Sequence, residues 1–258
     1  MKHVPKRLDR TADISRGKHD RRETAIHAAT LLGALAVFYV SLGFVAELVA
    51  DRIPASWEAK LAALATVEPG NGHEVATERV APVLERLIAA GDLRPLDYRV
   101  AVLKDPSANA FALPGGSILV TTGLLDTVEG ETGLAMVLGH ELGHHDARHV
   151  LSRLGRALLI LIPLSAVSGE AARVTDFFFT MTETKYSRDQ EREADRIGLD
   201  LVYRAYGTTD GAVEFFERML AERGPSSRWA TMVATHPAAE QRIELLRRQA
   251  EELNEHGT

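Results

Sequence analysis

From Gly139 to His144 the chain reads Gly-His-Glu-Leu-Gly-His: two histidines four residues apart, with a glutamate directly after the first. On a helix, positions i and i+4 lie about 40° apart on one face, so His140 and His144 can aim both imidazoles at a single cation. Glu141 falls about 100° further round, beside that ion, where a carboxylate can take the proton of an attacking water. The chemistry this spacing points to is zinc-assisted hydrolysis with Glu141 as general base. The chain contains no cysteine, so thiolate metal sites, disulfides and cysteine nucleophiles are excluded together. Histidine, carboxylate and water must hold any metal. His145 and His149 fall at about 140° and 180° on the same wheel, out of reach of that ion, and read as surface or supporting groups.

A catalytic zinc takes three protein ligands and a water. The extension H-E-x-x-H-x-x-G-x-x-H is excluded, because Ala147 and Val150 stand at its later positions. The third ligand is sought downstream, in SRDQEREADRIG from Ser187 to Gly198. Ser187 and Gln190 form a capping box that starts a helix. Glu191 and Asp195 then share one face, which can offer one carboxylate to a metal and a second to orient a ligating histidine. An ordinary acid-rich helix surface is the competing reading. Glu193 points away and reads as such a surface.

These residues need elements to hold them. The first 23 residues carry eight Lys/Arg against four acids and read as a basic disordered tail. Ala28 to Ala46 is nineteen residues without a charge, about 28 Å of helix against a hydrocarbon layer of about 30 Å. It reads as a transmembrane anchor, with a cleaved signal or a buried core helix as alternatives. Arg21 and Arg22 before it, with Glu47 and Asp51 after it, leave the N-terminus cytoplasmic and the rest on the opposite side. Residues 54–258 form the catalytic domain. Trp57 to Ala90 is helical, broken by the turn Pro69–Gly72. Tyr98–Leu103, Asn109–Leu113 and Ser117–Thr121 read as three short strands in an antiparallel meander. Beyond Gly123 the pattern is helical. The fold class is therefore α+β and mainly helical. The last strand, Ser117, Ile118, Leu119, Val120 and Thr121, is the expected bench for an extended substrate. The formal net charge of -6 and pI of about 5.9 give no basic field, so nucleic acid is not an expected partner.

Four blocks in order carry a family resemblance: ANAFALPGGSILVTTGLL (Ala108–Leu125), LGHELGHHDARH (Leu138–His149), YSRDQEREADRIGLD (Tyr186–Asp200) and ATHPAAEQRI (Ala234–Ile243). They resemble the zinc metallopeptidases related to CAAX prenyl protease 1, bacterial heat-shock protein X and the mitochondrial Oma1-type peptidases. The likeness is nearest the branch of the β-barrel assembly-enhancing protease. The resemblance implies a zincin-like, gluzincin-type domain with a small sheet beside the active-site helix, and one zinc ion per chain. It implies Glu191 as third ligand with Asp195 as its partner. The family's T-H-P and later arginine fall on His236 and Arg242. His236, just before Pro237, is expected at a helix N-terminus, reached through the loop Gly224–Thr235. It reads as an oxyanion donor or a transient zinc ligand, and otherwise as an N-cap or surface histidine. Arg242 reads as a donor to the oxyanion or to a substrate carbonyl, and otherwise as a surface cation. Ala157–Ser168, interrupted by Pro163, is too short for the extra membrane span of some relatives.

Taken together, the chain reads as a membrane-tethered zinc endopeptidase acting on unfolded or misfolded polypeptides in envelope quality control. Its expected partners are polypeptide substrates and membrane lipid. The alternative is a tethered binding module or chaperone that uses the same groove without turnover, or, if the leader is cleaved, a secreted form.

Overall fold

The computed structural model describes residues 21–50, 74–155, 185–222 and 240–256, with positions 52, 54, 56, 58, 60, 224, 227 and 229–236 between them. Most of the basic tail, the turn at 69–72 and the apolar stretch 157–168 lie outside the described residues. The chain divides into two units, Met1–Phe44 and Val45–Thr258.

Helix α1 (Arg21–Ala50) contains a 21-residue stretch, Arg22–Leu42, long and apolar enough to cross a membrane, none of it buried. Leu31, Leu35 and Phe38 are all exposed. An exposed helix that is apolar all round has the composition of a lipid-facing span.

In the second unit the elements run α2 (Glu74–Ala90), β1 (Arg99–Leu103), β2 (Ala110–Leu113), β3 (Ser117–Thr121), α3 (Thr122–Leu125), α4 (Gly130–Asp146), α5 (Arg188–Tyr206), α6 (Ala212–Ala221), α7 (Ala230–Thr235) and α8 (Glu240–His256). The strand order is β1-β3-β2. β2 and β3 form the expected hairpin, antiparallel from Ala110↔Val120 to Leu113↔Ser117. Its turn needs glycine: Gly116 has φ +88°, and a Cβ there would lie 2.8 Å from the Asp97 carbonyl oxygen. β1 departs from the meander and pairs with β3 in parallel, from Arg99↔Ser117 to Leu103↔Thr121. The tight-turn argument holds for β2–β3 alone. The longer link between β1 and β2 is pinned by the Asp105 carboxylate, which accepts from the Ser107 N–H at 2.7 Å. It is also pinned by Thr121 Oγ1, which donates to the Ser107 carbonyl at 2.6 Å. It carries the chain to the far side of β3. β3 is therefore the central strand. Both edges of Ser117–Thr121 are already paired, so it cannot be the substrate bench; the edges of this sheet belong to β1 and β2.

Helix α4 is the core. Every residue from Gly133 to His145 is buried, and α2, α5, α6 and β2 pack round it. Leu84 and Leu87 of α2, Leu199 and Val202 of α5, and Phe215 and Phe216 of α6 join Leu134 and Leu138 in one apolar cluster. Where α4 crosses α5 the backbones nearly touch. A Cβ on Gly143 would sit 2.7 Å from the Ala194 carbonyl oxygen, and one on Gly198 would sit 2.7 Å from the His140 nitrogen. That close approach, bought by glycines on both helices, brings the Glu191 helix within reach of His140 and His144.

Candidate metal centre

α5 starts as the capping box requires: Ser187 Oγ accepts from the Gln190 N–H at 3.2 Å, and Gln190 Oε1 accepts from the Ser187 N–H at 3.1 Å. One turn on, Glu191 and Asp195 face α4, both buried. His140 Nδ1 lies 2.9 Å from Asp195 Oδ1, so its proton belongs on that side and the Nε2 lone pair points inward. There it meets His144 Nε2 at 3.1 Å and His236 Nδ1 at 3.1 Å. Glu191 Oε1 is 3.0 Å from His236 Nδ1 and 3.5 Å from His144 Nε2. His140, His144, Glu191 and His236, all buried, place one donor atom each within 4.8 Å of the others. Imidazole lone pairs and a carboxylate converging on one buried point repel each other unless a cation lies among them, and nitrogen and oxygen donors are what zinc takes. The residues fit a zinc ion.

Glu141 is wholly buried beside this group, and neither carboxylate oxygen meets a hydrogen-bond partner among the described residues. His236 Nε2 lies 3.5 Å from its Oε1. A buried carboxylate costs free energy unless something polar comes to it.

The helix start expected at Pro237 lies outside the described residues. Trp229 and Met232, both buried, fold 230–235 into the short helix α7, and His236 caps its C-terminal end, its N–H donating to the Met232 carbonyl at 2.7 Å. Arg242 is not a free donor. Its guanidinium is buried, donates to Asp195 through Nε and at 2.8 Å through a terminal nitrogen, and pairs with Glu191. The plane lies over the Phe216 ring. It acts as a clamp on two carboxylates.

The electrostatics follow from these contacts. Burial alone would raise Glu191, but His236 and Arg242 overrule it and hold the carboxyl well below its ordinary value. Burial opposes Asp195 likewise, and Arg242 and His140 keep it below the usual range. Burial pushes His140 down, yet Asp195 and Glu191 leave it above the ordinary histidine value. For His144 burial wins, and the imidazole stays well below.

His145 and His149 are both buried, not surface groups. The helical wheel misplaced His149 because α4 stops at Asp146. Ala147 caps it, and Arg148 adopts a left-handed φ of +59°, a conformation costing a non-glycine residue roughly 1–2 kcal/mol. That turn swings His149 back, and its Nδ1 lies 3.0 Å from His144 Nδ1. Its Nε2 lies 3.3 Å from Glu193 Oε2, so Glu193, though half exposed, is not idle surface charge. Burial keeps His149 below the ordinary histidine value, against the pull of Glu193. Tyr186 stacks on His144 with ring centroids 3.6 Å apart, and the Arg153 guanidinium covers Tyr186 at 4.0 Å. On the other side, His145 Nε2 reaches the Ser117 carbonyl at 3.2 Å and its ring meets Tyr98 edge-on. The spacing does not signal the place of His149, since it depends on a left-handed turn at Arg148 that no glycine or proline announces.

Residues 74–250 match the model of peptidase family M48. The chain is 36% identical over 168 residues to the mitochondrial metalloendopeptidase OMA1 of Schizosaccharomyces pombe, covering 64% of this chain and 50% of that protein. It is 30% identical over 194 residues to the metalloprotease YcaL of Escherichia coli, covering 70% of this chain and 74% of that one. The β-barrel assembly-enhancing protease of Escherichia coli is 25% identical over 185 residues, 65% of this chain and 37% of its own length. The chain spans half or less of the length of the OMA1 proteins it matches. The family match covers well over half of the chain and contains the whole histidine and carboxylate cluster: this chain belongs to peptidase family M48.

Proposed function

We propose that the chain is a membrane-tethered zinc endopeptidase that hydrolyses peptide bonds in unfolded or misfolded polypeptides, with α1 as its anchor and the second unit on the extracytoplasmic side. Peptidases of this family use zinc. His140, His144 and Glu191 are the ligands in this reading, with Asp195 and Arg242 fixing two of them. Zinc supplies Lewis-acid chemistry, acidifying a water and polarising a carbonyl. Glu141 takes the proton of the attacking water and returns it to the leaving amine. The observation that carries the reading is the buried, unpartnered carboxylate of Glu141 beside a four-donor cluster. His236 adds a fourth donor, where a hydrolytic site needs room for water. His236 is then a displaceable group that closes the resting site. The substrate main chain pairs with the outer edge of β2, the edge strand that packs on α4.

The test compares wild-type chain, Glu141→Gln and His140→Ala for zinc content and hydrolysis of an unfolded protein. Glu141→Gln keeps zinc near one equivalent and loses at least about 100-fold in turnover, whereas His140→Ala loses both. Equal turnover by wild type and Glu141→Gln rules out the mechanism. A zinc-loaded wild type inert toward every unfolded substrate favours the tethered binding module.

A further inference from the structure

We propose that His149, backed by Glu193, is a positioning residue that sets the tautomer of the metal ligand His144. The proposal rests on reading His144 as a ligand. A neutral imidazole carries one N–H and one lone pair. His144 turns Nε2 to the cluster, 3.1 Å from His140 Nε2 and 3.5 Å from Glu191 Oε1. To bind a cation there it must keep its proton on Nδ1. That nitrogen stands 3.0 Å from His149 Nδ1, and two ring nitrogens at that distance need one donor and one acceptor. His149 Nδ1 is therefore the acceptor, and the proton of His149 sits on Nε2, facing Glu193 Oε2 at 3.3 Å.

The opposite tautomer of His149 is excluded twice over. It would set two N–H groups against each other at the Nδ1 contact, and it would turn a lone pair toward the Glu193 carboxylate. His144 and His149 are buried, so bulk water does not readily replace a lost partner. Glu193, half exposed on α5, thus selects the protonation pattern of a ring it does not touch. Tyr186 holds the same ring by its face, but a stack cannot distinguish Nδ1 from Nε2; the chain through His149 and Glu193 can. The left-handed Arg148 brings His149 into line and is the local distortion that this arrangement requires.

The experiment uses the full chain in detergent and reads zinc affinity by competition with a chromophoric chelator, not activity. His149→Phe keeps a ring and removes the acceptor, and zinc affinity falls about 10- to 100-fold, the usual cost of losing such a partner. His149→Asn puts a carbonyl oxygen near the place of Nδ1 and restores most of it. Glu193→Ala, at an exposed position that does not endanger folding, weakens zinc about 3- to 10-fold, and Glu193→Gln, which still accepts from His149, does not. Equal zinc affinity in His149→Phe and His149→Asn means that the ring only fills space, and the proposal falls. It falls also if Glu193→Ala binds zinc as wild type does, a result that stands even where His149→Phe fails to fold. His144→Ala separates the two layers: if it retains tight zinc, the ligand assignment itself is wrong.

Discussion

His140 and His144 sit one turn apart on the same helix, yet they are held by unlike means. Behind His140 stands a carboxylate, Asp195, which is gripped by Arg242 together with Glu191. Behind His144 stands a second imidazole, with a tyrosine stacked on the face of the ring. The first support is electrostatic, joins α5 to α8, and makes its ligand a stronger base. The second meets its imidazole through aromatic rings, from chain just beyond the break in α4 and just before α5, with the charges of Glu193 and Arg153 one layer behind. Charge pairs of the first kind are strong and unforgiving when one member is lost. Stacks and neutral hydrogen bonds fix geometry at smaller individual cost.

The sharpest way to break the comparison is to remove the clamp. Arg242→Ala leaves two buried carboxylates without their shared cation, a loss typically worth about 3–5 kcal/mol. Thermal melting of the full chain in chelator falls most for this variant, and zinc restores part of the difference by supplying positive charge to Glu191. Arg242→Lys recovers little, because an ammonium cannot make the paired contacts to Asp195. If Arg242→Ala melts with wild type in chelator, the clamp carries no load and the asymmetry between the two supports disappears.

The same asymmetry decides what could be read beforehand. His140, Glu141 and His144 lie on one unbroken helix, so spacing places them, and the capping box at Ser187 marks where the second helix begins. Glu191 and Asp195, by contrast, need the family resemblance to stand out from an acid-rich surface. At the crossing of α4 and α5, Gly139 meets Gly198 and Gly143 meets Ala194. The support of His144 was hidden because the wheel was continued past Asp146, and nothing in Ala147-Arg148 signals a left-handed turn. From the sequence Arg242 reads as a donor to the oxyanion or a substrate carbonyl, or as a surface cation, because its neighbours give no hint that two buried carboxylates from α5 hold it. The strand error has the same source. A two-stranded hairpin follows from Pro114-Gly115-Gly116, whereas the side of β3 on which β1 docks depends on the core above it.

A smaller effect concerns the group shared by both supports. His236 touches His140 Nε2 and Glu191 Oε1 and caps a six-residue helix. On the proposed ligand set His236→Ala leaves three ligands, so zinc content stays near wild type, and hydrolysis of a short peptide rises several-fold as the fourth position opens. A fall of about 100-fold or more would assign the imidazole to oxyanion stabilisation instead.

The smallest expected effect is a slope in pH, and it belongs to the far side of α4. His145 is buried between the Ser117 carbonyl and Tyr98. Burial pushes it down to about 4, against the smaller upward pull of that carbonyl. The ordinary value in the unfolded chain is about 6.5. Between these two values the unfolded chain binds a proton that the folded chain refuses, so stability is fully present above about 6.5 and drains away as pH falls toward 4. Metal-free wild type therefore loses melting temperature over this window. His145→Gln places an amide N–H near the position of Nε2 and has nothing to titrate. It keeps the contact to Ser117, and the difference in melting temperature between the two proteins changes only between pH 6.5 and 4. His140, His144 and His149 titrate in both proteins and drop out of that difference. Parallel melting curves across the window would mean that His145 takes up its proton inside the folded chain, and that the contact between α4 and β3 opens readily enough to let water in.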